Sequence, residues 1–272
     1  MRVLKQLLDF YINSSLHVAL SVFALVKMTA LLFRITLIEP CALFAFFGTI
    51  VGYNFVKYDA LARTQKKQMR LQLKAITLLS FGSFLAAAYY FLQLAQNTKI
   101  IAVVFLLLTL LYTLPFFPNK RNARNWAGVK IYIVALCWVG VTLFLPIVNA
   151  GIPLSTTVGL VAVQRFILIF VLILIFEIID LKLDDPHLKT VPQQIGVRPT
   201  KIVGTLLLLL FVGVEFLEAN VSYAALFLKA GVALTVLLFL LFAHENRPKY
   251  YSSFWVESIP VLWWLLFILR NM

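Results

Sequence analysis

An all-α membrane protein is the fold class this sequence predicts, and three observations predict it. Hydrophobic residues make up 62% of the 272-residue chain and charged ones only 13%, about half the charged share of soluble domains. The apolar residues gather into runs of about 20, the length needed to cross the hydrocarbon of a bilayer. The 24 Lys and Arg sort into alternate connections between those runs, as membrane topology requires.

The first element is a short amphipathic lead. Val3, Leu4, Leu7, Leu8 and Tyr11 recur at helical spacing beside Arg2 and Lys5, which suits a helix lying on lipid headgroups. No small-x-small cleavage site follows it, so the segment is expected to be retained. Nine spans then follow: Leu16 to Phe33, Pro40 to Tyr58, Ala75 to Leu94, Lys99 to Phe117, Lys130 to Val148, Thr157 to Ile179, Lys201 to Leu217, Ser222 to Ala243 and Ser252 to Leu269. Pro40, Pro118, Pro146, Pro199 and Pro248 punctuate their boundaries.

Orientation follows from the cations. With a cytoplasmic N-terminus, only Arg34, Lys99 and Arg270 fall outside, and only Lys27, Arg165 and Lys229 fall within spans. Every other Lys and Arg is inside. The same sorting explains the net charge of +13 without a nucleic-acid partner. The long connections follow spans two, four, six and eight, so the chemistry is expected at the cytoplasmic face. Cys41 and Cys137 lie in apolar segments without C-x-x-C spacing and read as small core residues.

The stretch "EIIDLKLDDPHLKTVPQQIG" after span six is the most informative. One further helical turn would put Asp180 and Asp184 on a single face. Two such carboxylates repel unless a cation lies between them, and Mg²⁺ suits one or two carboxylates completed by water and phosphate oxygens. A plainer reading stands beside this one. Asp185 before Pro186 has the form of a helix cap, and Lys182 and Lys189 can pair with the acids in a solvated loop. Glu177 is placed either to support the metal or to pair with Lys182.

Other loops on the same side add to the first reading. The connection after span four, "YTLPFFPNKRNARNWAGVK", supplies Lys120, Arg121, Arg124 and Lys130, a fitting charge set for a diphosphate. Span two ends in "GYNFVKYDALARTQKKQ", with Asn54 and Asp59. Among charges inside spans, which carry a functional expectation, Arg165 is a candidate contact to an acceptor molecule. Lys229 and Glu257 lie nearer span ends and can snorkel, and His17 is expected to face headgroups.

Nine spans, "DLKLD" followed by "KTVPQQIG", and "YTLPF…KR…K" together resemble the UbiA superfamily of intramembrane prenyltransferases. The likeness covers essentially residues 1–272 as one domain. It implies nine helices around a central cavity, Mg²⁺ as cofactor, and transfer of a prenyl group from a polyprenyl diphosphate to a hydrophobic acceptor, aromatic or lipid. By that resemblance Asp180 and Asp184 are metal ligands, and Lys120, Arg121 and Lys130 contact diphosphate. The first loop departs from the family's N-D-x-x-D-x-x-x-D pattern: alignment on Asn54 puts Phe55, Tyr58 and Ala62 where aspartates belong. Asn54 and a displaced Asp59 remain as its candidate metal and substrate contacts, with Lys57 and Arg63 as nearby fixed cations. A non-catalytic relative that binds isoprenoid lipid or serves membrane assembly is the main alternative, and a transporter is a third.

Overall fold

The computed structural model describes residues 2–64, 71–113, 128–219 and 222–271. Among them all regular structure is helical, as hydrocarbon demands, because a helix satisfies its own backbone where no water can. The helices are α1 (Arg2–Asn13), α2 (Leu16–Phe33), α3 (Glu39–Thr64), α4 (Leu71–Gln93), α5 (Gln96–Thr113), α6 (Val129–Val139), α7 (Leu145–Asn149), α8 (Thr156–Ile179), α9 (Val191–Ile195), α10 (Val197–Gly213), α11 (Tyr223–Phe242) and α12 (Ile259–Asn271). Eight stretches among the described residues are long and apolar enough to cross a bilayer, which makes the chain an integral, multi-pass membrane protein. The expected fourth span, Lys99 to Phe117, falls on α5. Its described apolar stretch, Gln96–Leu110, is shorter than the others, and the end of that span lies outside the described residues.

The helices form two compact units. The first comprises residues 1–103 and 141–152. Here α3 packs against α2 and α4, and the fully buried Ala19, Ala24, Cys41 and Ala42 keep the packed surfaces small enough for close approach. A five-residue π-helical stretch, Gly140–Phe144, precedes α7. Pro146 has no N–H for the carbonyl four residues back, that of Thr142, and Thr29 Oγ1 donates to that carbonyl at 2.7 Å.

In the same unit α1 leaves Val3, Leu4 and Leu7 exposed, the apolar face expected to meet lipid. His17 corrects its expectation: it is buried, with Nδ1 2.9 Å from the Tyr11 hydroxyl, because the α1–α2 turn folds Tyr11 back over it. Lys27 is also explained locally, since its Nζ reaches Glu39 Oε1 at 2.8 Å across the α2–α3 connection.

The second unit comprises residues 104–140 and 153–272. Its axis is α8, capped by Ser155 Oγ, which accepts from the Val158 N–H at 3.3 Å. This helix packs against α6, α9, α10 and α11, and Leu168, Val171, Leu174, Ile175 and Ile178 are wholly buried. Gly204 lets α10 and α11 approach closely: a Cβ there would stand 2.6 Å from Leu240 Cδ2. Near the end of α8 that precedes the carboxylate loop, Ile131, Phe170 and Leu174 form a cluster that also takes in Val191 of α9.

A polar network lies toward the other end of α8. Glu215, in a 3₁₀ turn that continues α10 over Val214–Leu217, is ion-paired with Lys229 of α11. Gln164 Nε2 donates to Glu215 Oε2 at 3.2 Å and to the Phe211 carbonyl at 3.1 Å, while Gln164 Oε1 accepts from Lys229 Nζ at 2.8 Å. Lys229 therefore does not snorkel; an acid on the neighbouring span draws it inward.

Candidate functional site

The second unit assembles a carboxylate site around the end of α8. The helix stops at Ile179, and Asp180 closes it with an N–H bond to the Phe176 carbonyl at 2.9 Å. The expected extra turn is present in its hydrogen bonding, although it is not regular helix. Both Leu183 and Asp184 donate their N–H groups to the Asp180 carbonyl, at 2.7 and 2.8 Å. That bifurcated turn keeps Asp184 one turn beyond Asp180.

Lys130, near the start of α6, stands with its ammonium 4.0 Å from Asp184 Oδ2. Both side chains are largely buried, and this Oδ2 atom accepts no hydrogen bond. Asp180 feels both of them. Burial pushes its carboxyl above the ordinary value, the Asp184 charge pushes the same way, and Lys130 opposes the two. Glu177, one turn earlier on α8, lies within the electrostatic reach of Lys130 and Asp184 as well. Among the described residues, Lys130 is thus the cation that offsets the mutual repulsion of these acids.

The loop that follows is tied down at several points. After Asp185 the residues Pro186–Leu188 make a 3₁₀ turn in place of a capped α-helix, and Lys189 takes a left-handed φ of 43°. The chain then reverses into α9. Glu177 Oε2 accepts from the Val191 N–H at 3.0 Å, so the first N–H of α9 is occupied by a side chain of the protein itself. Gln193 Oε1 accepts from the Thr190 N–H at 2.9 Å, and its Nε2 donates to the carbonyls of Asp184 and Asp185 at 3.4 and 3.3 Å. Gly128, at the end of the basic connection, has a φ of 71° and donates its N–H to the Leu188 carbonyl at 3.4 Å. Lys182 leaves the acids for Glu245 at 3.0 Å and Asn246 at 2.8 Å, so neither its expected pairing with them nor that with Glu177 occurs.

The donor set fits Mg²⁺. Two carboxylates one turn apart, one with a buried oxygen lacking a hydrogen bond, match an ion that takes few protein ligands and completes its shell with water and phosphate. Among the described residues no three His, Cys, Asp or Glu side chains gather as a metal cage.

Of the remaining candidates, Lys120 and Arg121 lie outside the described residues, as does the side chain of Asp59 on α3. Arg165 is 1% exposed and precedes Asp180 by about 22 Å of helix, four turns from the carboxylates. Asn54, in the first unit, is 3% exposed and spends both amide hydrogens on its own fold. They go to the Ser14 carbonyl at 3.0 Å and Ser80 Oγ at 2.9 Å. Lys57 Nζ bonds Ser15 Oγ at 3.1 Å and the Tyr58 hydroxyl bonds the Asn13 carbonyl at 2.8 Å, so this face of α3 fastens the α1–α2 turn. The buried Asn54 Oδ1 accepts no hydrogen bond.

Sequence reasoning missed Gln193 and Glu215. Glu215 had a signal, an acid inside the seventh apolar run opposite a lysine inside the eighth. Gln193 had one too, the capping-box spacing from Thr190 to Gln193, although its bonds to the Asp184 and Asp185 carbonyls depend on α9 folding back against the loop. No family model, no curated protein and no solved structure matches this chain.

Proposed function

We propose that the protein is a UbiA-like, Mg²⁺-dependent prenyltransferase with nine spans and its loops at the cytoplasmic face. The observation that carries this reading is the grouping of Asp180, Asp184 and Lys130 at one end of α8, with the Asp184 Oδ2 atom buried and without a hydrogen bond. Asp180 and Asp184 would hold the ion, which when bound supplies charge stabilisation to a departing diphosphate. Lys130, joined by Lys120 and Arg121 from the same connection, would bind the diphosphate oxygens. As the allylic C–O bond breaks, the diphosphate leaves with the electron pair. The acceptor then bonds to the allylic carbon and gives up a proton. The apolar helices would exclude water that would otherwise capture the cation.

One observation favours a second reading, a lipid-binding relative without turnover. Asn54, Lys57 and Tyr58 are engaged in holding the α1–α2 turn, on a stretch of α3 that also lacks the family's acids. One assay separates the two. Purified protein in lipid nanodiscs is incubated with a radiolabelled polyprenyl diphosphate, Mg²⁺ and a membrane lipid extract. The transferase releases diphosphate, and Asp180→Ala abolishes both the release and the Mg²⁺-dependent part of binding. Binding unchanged by chelator, with no release, would overturn the enzymatic reading in favour of the second.

A further inference from the structure

We infer that Glu177 is a positioning residue for the carboxylate loop, acting on Asp184 through α9; the inference rests on the metal reading of that loop. Glu177 is 3% exposed, and a buried acid on an apolar helix requires a partner. Its partner is the Val191 N–H, 3.0 Å from Oε2. Val191 packs its side chain into the cluster around Ile131, Phe170 and Leu174, so the start of α9 is held by one polar and one apolar contact. Two residues on, Gln193 Nε2 donates to the carbonyls of Asp184 and Asp185. The connection from Glu177 to the backbone of Asp184 therefore runs through two hydrogen-bonded links and the first residues of α9, Val191 to Gln193.

Geometry gives each link a purpose. The ten residues 181–190 contain no α-helix, only the short turn Pro186–Leu188, and a loop of that length does not by itself hold a carboxylate to within a fraction of an ångström. With α9 pinned to α8, Gln193 holds the Asp184 backbone and Asp184 keeps its place beside Lys130. Glu177 itself is spent on Val191 and is not one of the two metal carboxylates.

The test uses the full chain in nanodiscs and two readouts that need no turnover. Hydrogen exchange over residues 189–196 reports the hold on α9, and electron paramagnetic resonance of Mn²⁺ reports affinity at the carboxylates. Glu177→Ala should speed exchange at Val191 and weaken Mn²⁺ binding about tenfold, a loss of about 1.4 kcal/mol. Glu177→Gln keeps an acceptor for the same N–H and should retain most of the protection and affinity. Should Glu177→Ala not fold, Gln193→Ala breaks the second link together with the Thr190 N–H bond: exchange rises at Thr190, Val191 protection stays and Mn²⁺ affinity falls. Unchanged exchange in Glu177→Ala, or unchanged affinity in Gln193→Ala, would overturn the inference. So would a Glu177→Gln variant as impaired as the alanine one. If the wild-type chain binds no Mn²⁺ at all, the metal reading fails, while exchange in Glu177→Ala still decides whether Glu177 holds α9.

Discussion

Lys130 Nζ lies 4.0 Å from Asp184 Oδ2, close enough to attract it and too far to donate a hydrogen bond to it. An ammonium at this distance competes with a metal for the carboxylate, yet on the proposed reading it also binds the diphosphate oxygens. Lys130→Met should thus act in opposite directions on two ligands. Mn²⁺ affinity should rise several-fold and prenyl diphosphate affinity should fall by about tenfold or more, about 1.4 kcal/mol. Calorimetric titration of each ligand checks both, and a parallel loss of the two would show that Lys130 only holds the loop together.

The environment of Asp180 predicts a pH dependence. Its carboxyl is raised above the ordinary value, chiefly by burial, so the native chain holds that proton more tightly than the unfolded one. The stability it contributes is present at low pH and is lost as the pH rises through the raised value. In metal-free protein, Asp180→Asn should therefore match the wild type near pH 4 and exceed it in thermal stability at pH 7. For the wild type, Mn²⁺ binding should fail on acidification at a higher pH than an ordinary aspartate, about 3.9, would give. Melting curves and Mn²⁺ titrations across that range measure the two effects.

The bond from Thr29 to the Thr142 carbonyl supplies a donor that Pro146 lacks. Thr29→Val preserves shape and leaves that buried carbonyl without this donor, at a cost of about 1–3 kcal/mol. In a Pro146→Ala background the helix regains an N–H, so the same substitution should cost less. A double-mutant cycle on unfolding in mixed micelles measures the difference, and equal costs in both backgrounds would refute the explanation.

Breaking the buried Glu215 and Lys229 pair from one side leaves a charge in hydrocarbon. Lys229→Met or Glu215→Leu alone should destabilise by about 3–5 kcal/mol, whereas the double replacement should cost only about 1–3 kcal/mol, from leaving the buried Gln164 Oε1 without its donor. Unfolding of all three variants in mixed micelles gives the comparison, and a double variant as unstable as the sum of the single ones would contradict it.

The spans were legible because bilayer thickness imposes one length on every crossing, so runs such as Leu16 to Phe33 and Thr157 to Ile179 come within a residue of α2 and α8. Asp180 and Asp184 were legible as a pair because a four-residue spacing survives the end of a helix as a hydrogen-bonded turn. Partners across helices were not. The inward turn of Lys229 depends on α10 and α11 being neighbours, and the bond from Glu177 to Val191 depends on a reversal at Lys189, which no periodicity announces. The burial of His17 follows from a turn at Ser15 with a left-handed φ of 63°, a conformation that serine seldom takes.

The Glu215 and Lys229 pair also bears on how the chain enters the bilayer. The two residues belong to consecutive crossings, Val197–Leu217 and Tyr223–Phe242, and a lone charge in the hydrocarbon costs about 2.5–3.5 kcal/mol at mid-depth and less toward the ends. Threaded singly, each segment would carry that penalty into lipid. Delivered together as a closed hairpin, they neutralise one another before either meets an acyl chain, so biogenesis of this half of the protein favours release of the two segments as one piece.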